Sequence, residues 1–281
     1  MLPNWIKTSD FNREKYLEVL NLIEKNKLNT ICLEANCPNR YQCFSVGTAT
    51  FMILGDICTR SCLYCNVKKG SPRAIDREEP KKIARAIKKL GLKYVVITCV
   101  TRDDLKDGGA SVFVKTVREI RKENHNCKVE LLISDLNGNW SSLKKIIDCG
   151  PEVINHNIEV VKDFFPKIRP RGDYELSLRL LKKIKEINPK IVTKSGFMLG
   201  FGESTRQIVE TMKDLRKVDV DILIISQYLQ PSEKHFKAEK YYSMNEFKNF
   251  ERIGKEMGFR FVHAHPLARS SYKAEEYYGR I

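Results

Sequence analysis

The feature that most constrains the fold of this chain is an alternation of short apolar runs with amphipathic helical patterns, which begins at Thr50. The runs are rich in Val and Ile, as buried parallel strands are. They predict strands over 50–54, 94–98, 129–133, 153–156, 191–195 and 222–226. Helical periodicity predicts helices over 12–24, 80–90, 111–123, 141–148, 174–187, 205–218 and 245–257, and the last is followed by an apolar run over 259–263.

Six βα repeats predict an α/β fold, a partial parallel (β/α)6 barrel of the TIM type with extensions at both ends. No GxGxxG motif follows the first strand, which disfavours an open dinucleotide-binding sheet. We expect an amino-terminal extension over 1–49, the barrel over 50–258 and a carboxy-terminal segment over 259–281. In such barrels the chemistry lies in the loops that follow the strands.

Composition narrows the class of protein without choosing a partner. Apolar residues make up 42% of the 281 residues, and no run approaches the ~18 apolar residues of a membrane span. The first ten residues lack the basic start and apolar stretch of a signal peptide, so a cytoplasmic protein without a membrane partner is expected. The net charge of +15 suits a solvated basic surface, a nucleic acid or an acidic protein, and charge alone does not choose between them.

Nine cysteines are present, and six of them fall between Cys32 and Cys65. A disulfide scaffold is typical of small secreted chains, which this is not. The clustered cysteines are therefore expected to be metal ligands or redox groups.

Three of these cysteines, spaced Cys-x3-Cys-x2-Cys, directly follow the first predicted strand: Cys58-Thr-Arg-Ser-Cys62-Leu-Tyr-Cys65. Three thiolates on one short loop can each bind a different iron of a [4Fe–4S] cube and leave the fourth iron open. A structural zinc site needs four closed ligands, and no second half for such a site follows this triplet. This triplet, Tyr64 and the predicted barrel resemble the radical S-adenosylmethionine superfamily. The resemblance implies that S-adenosylmethionine binds the open iron and is cleaved to a 5′-deoxyadenosyl radical.

A second triplet, spaced Cys-x4-Cys-x5-Cys, stands upstream at Cys32, Cys37 and Cys43. It predicts a second cluster that is again one ligand short. An electron relay ordinarily has four cysteines. A cluster that must open can take an exchangeable oxygen ligand in the fourth place, and the ending Arg269-Ser-Ser-Tyr272 offers one.

With both triplets, the resemblance extends over nearly the whole chain to the lipoyl synthase family. It rests on motifs that include Glu34-Ala-Asn-Cys37-Pro-Asn, Thr101-Arg-Asp-Asp-Leu with Asp107-Gly-Gly, Asn155-His-Asn-Ile-Glu159, Lys194-Ser-Gly, Gln227-Tyr-Leu-Gln-Pro231 and Arg269-Ser-Ser-Tyr272. The chain departs from the family at His263-Ala-His265-Pro, where a Gly-Pro step is usual, and at Cys99, where serine is common.

The resemblance implies a sulfurtransferase with two [4Fe–4S] clusters and S-adenosylmethionine as cofactors. Cys58, Cys62 and Cys65 would hold the radical cluster. The auxiliary cluster, held by Cys32, Cys37, Cys43 and Ser271, would be consumed as the sulfur source. Two radicals, formed in turn, would remove hydrogens at carbons 6 and 8 of an octanoyl chain. That chain is attached to a lysine of a lipoyl carrier domain or the glycine-cleavage H protein.

The remaining predicted site residues lie at strand ends and in barrel loops. Tyr64, Asp103, Asn155 and Glu159 are predicted to contact S-adenosylmethionine, although Asp103 and its neighbour Asp104 suit a helix cap or a lysine pair equally well. Arg169 and Arg171 are predicted to bind the substrate through their forked guanidiniums, or else are plain surface arginines. An electron donor such as ferredoxin or flavodoxin is expected, and the enzyme is expected to be a monomer.

Two other functions share part of this pattern. A methylthiotransferase acting on transfer RNA has a similar Cys-x3-Cys-x2-Cys loop, but it usually ends in an RNA-binding β-barrel. Only nine residues follow Tyr272, so that barrel is not expected. A zinc or iron–sulfur module that binds nucleic acid would show basic strands interleaved with aromatic residues, and none is found. No nucleic-acid partner is therefore expected.

Overall fold

A computed structural model describes residues 12–281, which fall into two compact units. The amino-terminal unit comprises residues 12–60 and Asn66–Val153. The carboxy-terminal unit comprises Ser61–Cys65 and Ile154–Ile281. In the described part of the chain, no helix is long and apolar enough to cross a membrane.

The amino-terminal unit begins with a helical region and continues with alternating strands and helices. Its elements are α1 (Arg13–Lys25), β1 (Asn29–Thr30), α2 (Ile31–Glu34), α3 (Arg40–Ser45), β2 (Phe51–Ile53), β3 (Ile57–Cys58), β4 (Lys68–Lys69), α4 (Glu79–Leu90), β5 (Tyr94–Cys99), α5 (Ala110–Glu123), β6 (Lys128–Leu132) and α6 (Trp140–Asp148).

Strands β2, β5 and β6 pair in parallel, with Phe51 opposite Ile97 and Ile97 opposite Leu131. These three side chains are fully buried, which explains the runs of Val, Ile and Leu in this sheet. The short strand β1 pairs antiparallel with β2 at the sheet edge. Every parallel strand thus ends on the same side, where the loops after β2, β5 and β6 meet.

The family motif Asp107-Gly-Gly has a steric cause in this unit. Gly109 has φ +88°, and a Cβ at this position would lie 2.3 Å from the Cδ1 atom of Leu54. Leu54 itself has φ +73° and is almost fully buried. The loop before α5 therefore packs against the end of β2 only if position 109 carries no side chain.

The carboxy-terminal unit continues the alternation of strands and helices. Its elements are β7 (Val153–Asn155), whose first residue ends the other unit, α7 (Phe165–Ile168), α8 (Tyr174–Ile187), β8 (Val192–Leu199), α9 (Thr205–Lys217), β9 (Ile222–Gln227), α10 (Met244–Glu256), β10 (Phe261–His265) and α11 (Ala274–Tyr278). Strands β8, β9 and β10 are parallel neighbours, with Gly196 opposite Ile224 and Ile224 opposite His263.

The predicted α/β class is confirmed: six strands, β2 and β5–β9, are each followed by a helix at the predicted places. Strand β8 is longer than the predicted 191–195, and α2, α3, α7 and α11 were not predicted. The proposed boundaries at 49/50 and 258/259 stay predictions, and residues 1–11 of the predicted extension lie outside the described residues.

Candidate active site

The upstream cysteines lie together in the amino-terminal unit, on α2, α3 and the turn between them. The backbone N–H of Cys37 donates to the Cys32 carbonyl at 3.1 Å. Burial raises the pKa of the Cys32 thiol to about 11, and Cys37 adds to the effect. Burial, Cys32 and Cys37 likewise raise the pKa of Cys43. Cys32 and Cys43 are thus disfavoured as thiolates, which fits a cationic iron–sulfur group, because bound iron offsets the crowded negative charge.

These thiols do not form a site for one metal ion. Among residues 12–281, no three Cys, His, Asp or Glu side chains converge on a point where a single ion would bind. A [4Fe–4S] cube instead spreads its thiolates over different irons. All nine cysteines lie in the described part of the chain, and none of them forms a disulfide.

The start of the downstream triplet is tied to the loop after β5. Cys58 ends β3, and its sulfur accepts the Arg60 backbone N–H at 3.4 Å. The Thr59 N–H donates to the Thr101 carbonyl at 3.0 Å, and the Asp103 N–H donates to the Thr59 hydroxyl oxygen at 3.0 Å. The motif that begins at Thr101 therefore holds the backbone next to Cys58.

Arg60 forms a buried ion-pair network in the same unit. Its guanidinium donates to both oxygens of Asp103, at 2.9 and 3.0 Å, and to both oxygens of Asp135. It also donates to Asn137 Oδ1 at 2.8 Å. Burial acts to lower the pKa of Arg60, but the two carboxylates outweigh it and raise that pKa. The network fixes the residue that stands between Cys58 and Cys62 in the chain.

A polar cavity of about 230 Å³ opens beside this network, between the loops after β5 and β6. Its lining includes Asp103, Lys106, Ser134 and Asn137. Asn137 and the preceding residue Leu136 have φ values of +48° and +52°, conformations that L-residues rarely adopt. Such strain is common where a loop is shaped for a ligand.

In the carboxy-terminal unit, Cys62 and Cys65 stand on one turn, which the Cys65 N–H closes by donating to the Cys62 carbonyl at 3.3 Å. The Leu63 N–H donates to the Ile168 carbonyl at 2.9 Å, and the Leu63 carbonyl accepts the Phe236 N–H at 3.1 Å. The loops after β7 and β9 therefore fix this turn from both sides.

Tyr64, on the same turn, lies near the partly buried carboxylate of Glu159. Burial and the neighbouring Glu159 carboxylate raise the pKa of the Tyr64 hydroxyl. Burial also raises the pKa of Glu159, while Arg169 and Asn157 oppose that rise. Glu159 has φ +70°, and its backbone bonds to β8 through Gly196 and Met198. A strained acidic residue beside the cysteine turn fits a bound group that carries an amine and hydroxyls, as S-adenosylmethionine does.

Three family motifs meet at Asn157. Its side-chain oxygen accepts the Ser270 hydroxyl at 2.8 Å. A Cβ on Gly196 would lie 2.9 Å from the Ile224 carbonyl oxygen and 3.4 Å from this Asn157 oxygen. The segment 155–159, the Lys194-Ser-Gly196 segment and the ending at 269–272 are thus packed into one region, and glycine is required at 196 for the close approach.

Comparison with known proteins decides the family. The radical SAM superfamily model matches residues 52–215. The lipoyl synthase of Shouchella clausii (strain KSM-K16) is 50% identical over 275 residues, which cover 98% of this chain and 89% of that protein. The lipoyl synthase of Aquifex aeolicus (strain VF5) is 52% identical over 262 residues, covering 93% and 95%. This chain belongs to the lipoyl synthase family.

Solved structures support the fold assigned to this lipoyl synthase family member. Methylornithine synthase has a TM-score of 0.59 at 14% identity, covering 89% of this chain and 77% of its own. The SuiB protein of Streptococcus suis bound to S-adenosylmethionine also has a TM-score of 0.59, at 11% identity, covering 82% and 55%. The predicted family, the partial parallel barrel, the sulfurtransferase activity and the cofactors, two [4Fe–4S] clusters and S-adenosylmethionine, are confirmed.

The residues predicted to contact S-adenosylmethionine in the lipoyl synthase fold stay predictions, and the structure gives each a definite setting. Asp103 pairs with Arg60, and Asp104 pairs with Arg102 at 2.9 Å. Asn155 ends β7 and is fully buried. Tyr64 lies on the cysteine turn, close enough to Glu159 for that carboxylate to raise the pKa of its hydroxyl.

The predicted substrate arginines differ in setting. Arg169 is buried, donates to the carbonyls of Asn157 and Ile158, and lies 4.9 Å from the Phe165 ring. Arg171 is exposed on the same loop. Ser271, the predicted fourth ligand of the auxiliary cluster, is partly buried in the turn between β10 and α11. Its ligation and both substrate contacts stay predictions.

Sequence reasoning missed the roles of Asp135, Asn137 and Ser270. Asp135 and Asn137 lie in the loop after β6, so the rule that barrel chemistry follows strand ends contained the signal. Ser270 was passed over because its neighbour Ser271 carried the family resemblance. His235 was also missed, although its ring lies next to the Cys65 carbonyl, because the two residues are 170 positions apart in the chain.

Proposed function

We propose that this lipoyl synthase divides its work between the two cysteine triplets. Cys58, Cys62 and Cys65 hold the radical cluster, and Cys32, Cys37 and Cys43, together with Ser271, hold the auxiliary cluster. The observation that carries the proposal is the presence of both triplets in a chain about half identical to lipoyl synthases over 98% of its length. When bound, these groups and S-adenosylmethionine supply a 5′-deoxyadenosyl radical and sulfur for carbons 6 and 8 of an octanoyl chain.

The residues around the downstream triplet orient the bound groups and enclose them. Arg60 and the loop after β5 hold the backbone at Cys58, while the turn at 62–65 is held by the loops after β7 and β9. Glu159 and Asn155 offer acceptors and donors for the amine and ribose of S-adenosylmethionine. The hydroxyl of Ser195 is buried and bonds to no other described residue, which leaves it free to pair with a bound polar group.

The protein substrate is a lipoyl carrier, and we propose a lipoyl carrier domain or the glycine-cleavage H protein. The charge of +15 supports an acidic partner, since complementary charge speeds encounter. Arg171 and Lys106 are exposed cations beside the loops of the site and are proposed to meet the carrier.

An electron donor such as ferredoxin or flavodoxin is proposed to dock at the turn that holds the radical cluster. Leu63, between Cys62 and Cys65, is 37% exposed. Lys167 lies over the Phe236 ring at 4.9 Å, and Lys237 follows that ring in the chain. An apolar spot with a basic rim suits an acidic protein that passes one electron. We further propose that the enzyme acts as a monomer in the cytoplasm. The described cysteines form no disulfide, which suits a reducing compartment.

The test is turnover of an octanoyl-lysine carrier peptide with dithionite and S-adenosylmethionine. The expected product carries sulfur in place of one hydrogen at carbon 6 and one at carbon 8, with 5′-deoxyadenosine formed in parallel. Cys149→Ser is the matched control, because Cys149 belongs to neither triplet and a serine hydroxyl can keep its bond to the Ile146 carbonyl. A wild-type enzyme that cleaves S-adenosylmethionine but leaves the peptide without sulfur would overturn the proposal.

A further inference from the structure

The turn that carries Cys62 and Cys65 receives one bond from a side chain that no part of the proposed function uses. His235, in the loop after β9, places its Nε2 atom 3.2 Å from the Cys65 carbonyl oxygen. Its other ring nitrogen, Nδ1, lies 2.9 Å from the Ser232 hydroxyl oxygen. The imidazole therefore spans from its own loop to the last cysteine of the triplet.

The chemistry of the partners sets the tautomer of this histidine. A backbone carbonyl only accepts hydrogen bonds, so Nε2 must carry the proton that it donates to Cys65. In the neutral ring Nδ1 is then the acceptor, and the Ser232 hydroxyl donates to it. Ser232 thus selects the form of His235 that can bind the cysteine turn.

Hydrogen bonds within the loop after β9 fix the position of His235. The Gln230 side chain donates to the carbonyls of Ser232 and His235, at 3.0 and 3.2 Å. The Tyr228 hydroxyl donates to the Phe236 carbonyl at 2.6 Å, and the Phe236 N–H bonds to Leu63. The ring is only partly exposed. Two adjacent residues, His235 and Phe236, therefore bind two carbonyls of the same cysteine turn.

We propose that His235 is a positioning residue for the radical cluster, a role that rests on the proposed assignment of Cys58, Cys62 and Cys65. By donating to the Cys65 carbonyl it fixes that peptide plane, and with it the direction of the Cys65 sulfur. The positive end of the N–H dipole also lies beside a ligand of the cluster, which favours the more negative, reduced state. Losing the bond should loosen the cluster and lower its midpoint potential.

Two substitutions of similar polarity distinguish the effect of the hydrogen bond to Cys65 from the effect of losing the imidazole ring. In His235→Gln the side-chain amide reaches as far as Nε2 and can still donate to Cys65. In His235→Asn the amide reaches only as far as Nδ1 and cannot. The measurements are iron release to a chelator and an EPR-monitored redox titration, both made on holoenzyme whose auxiliary cysteines are replaced by alanine, so that one cluster is observed. His125→Ala, at an exposed site in the other unit, is the control.

We expect His235→Asn to release iron about three- to ten-fold faster, the effect of about one hydrogen bond, with a more negative midpoint potential. His235→Gln should stay near the parent in both measurements, and Ser232→Ala should fall between. Equal behaviour of the Asn and Gln variants, whether both match the parent or both lose iron, would overturn the proposal. A triple alanine variant at 58, 62 and 65 that still cleaves S-adenosylmethionine would instead overturn the cluster assignment.

Discussion

Replacing Arg60 with methionine is expected to destabilise the amino-terminal unit strongly. Methionine keeps most of the length of the side chain but removes the guanidinium, which is 5% exposed and pairs with Asp103 and Asp135. Asp135 is 1% exposed and Asp103 is 12% exposed, so both carboxylates would be left buried without their cation. The perturbation therefore tests whether this network, and not its apolar surroundings, holds the backbone beside Cys58.

The size of the effect follows from the burial. Removing one partner of a buried ion pair costs about 3–5 kcal/mol, because the remaining charge has no compensation. Arg60→Met should lower the free energy of unfolding by that amount. Adding Asp135→Asn removes the more deeply buried charge and should return about 1–3 kcal/mol, the cost of one stranded buried group. A surface pair gives the contrast, since Lys68 is 65% exposed and pairs with Asp56.

The assay is urea unfolding followed by circular dichroism on the wild type, Arg60→Met, Arg60→Met/Asp135→Asn and Lys68→Met. Lys68→Met should stay close to the wild type in stability, because exposed ion pairs contribute little. A loss in Arg60→Met no larger than that in Lys68→Met, or a further loss on adding Asp135→Asn, would show that no buried charge is left uncompensated.

Four further predictions concern the site. Wild-type turnover on a whole carrier domain should be more sensitive to salt than turnover on a short octanoyl-lysine peptide, because salt screens exposed complementary charge. Steady-state rates with both substrates at several ionic strengths check this, and an equal response to salt would contradict it. The auxiliary site should keep its iron against a chelator better as the pH rises from about 7 to about 9. The pKa values of Cys32 and Cys43 are raised, so these thiols must lose protons when they bind iron. Iron retention that falls as the pH rises would contradict this. Ser271→Cys should form 5′-deoxyadenosine with little or no lipoyl product, since a thiolate holds iron more tightly than the harder oxygen donor. Wild-type yields of both products from Ser271→Ala would exclude Ser271 as a ligand of the auxiliary cluster. Replacing the radical-cluster ligands Cys58, Cys62 and Cys65 together with alanine should abolish 5′-deoxyadenosine formation while about four irons are retained. Assays of S-adenosylmethionine cleavage and of iron content check this.

The sequence predicts the strands and most helices because the barrel buries them in a regular pattern. Strand β5 begins at the predicted residue and ends one residue later, at Cys99. The prediction for β8 ends at Ser195, and the next residue is glycine, which usually weakens a strand. The strand instead runs to Leu199, and Gly196 allows the Ile224 carbonyl to come close. Helices α2 and α3 are only four and six residues long, too short to show a period.

The cysteines of the site can be predicted from the sequence, whereas the residues that hold their backbone in place cannot. Spacing alone marks the two triplets, since neighbouring thiolates on one loop have few other uses. Arg60 finds its partners 43 and 75 residues away, and His235 lies 170 residues from Cys65. No local pattern encodes such contacts, because they arise only when the loops after different strands come together.

In the proposed function the upstream triplet holds the sulfur source and the downstream triplet holds the cluster that forms the radical. The most direct measurement quantifies 5′-deoxyadenosine and lipoyl product together, from an octanoyl-lysine peptide treated with enzyme in which Cys32, Cys37 and Cys43 are all alanine. We expect this variant to form 5′-deoxyadenosine and no lipoyl product, while the wild type makes both. Lipoyl product from this variant at the wild-type yield would show that the upstream triplet is not the sulfur source.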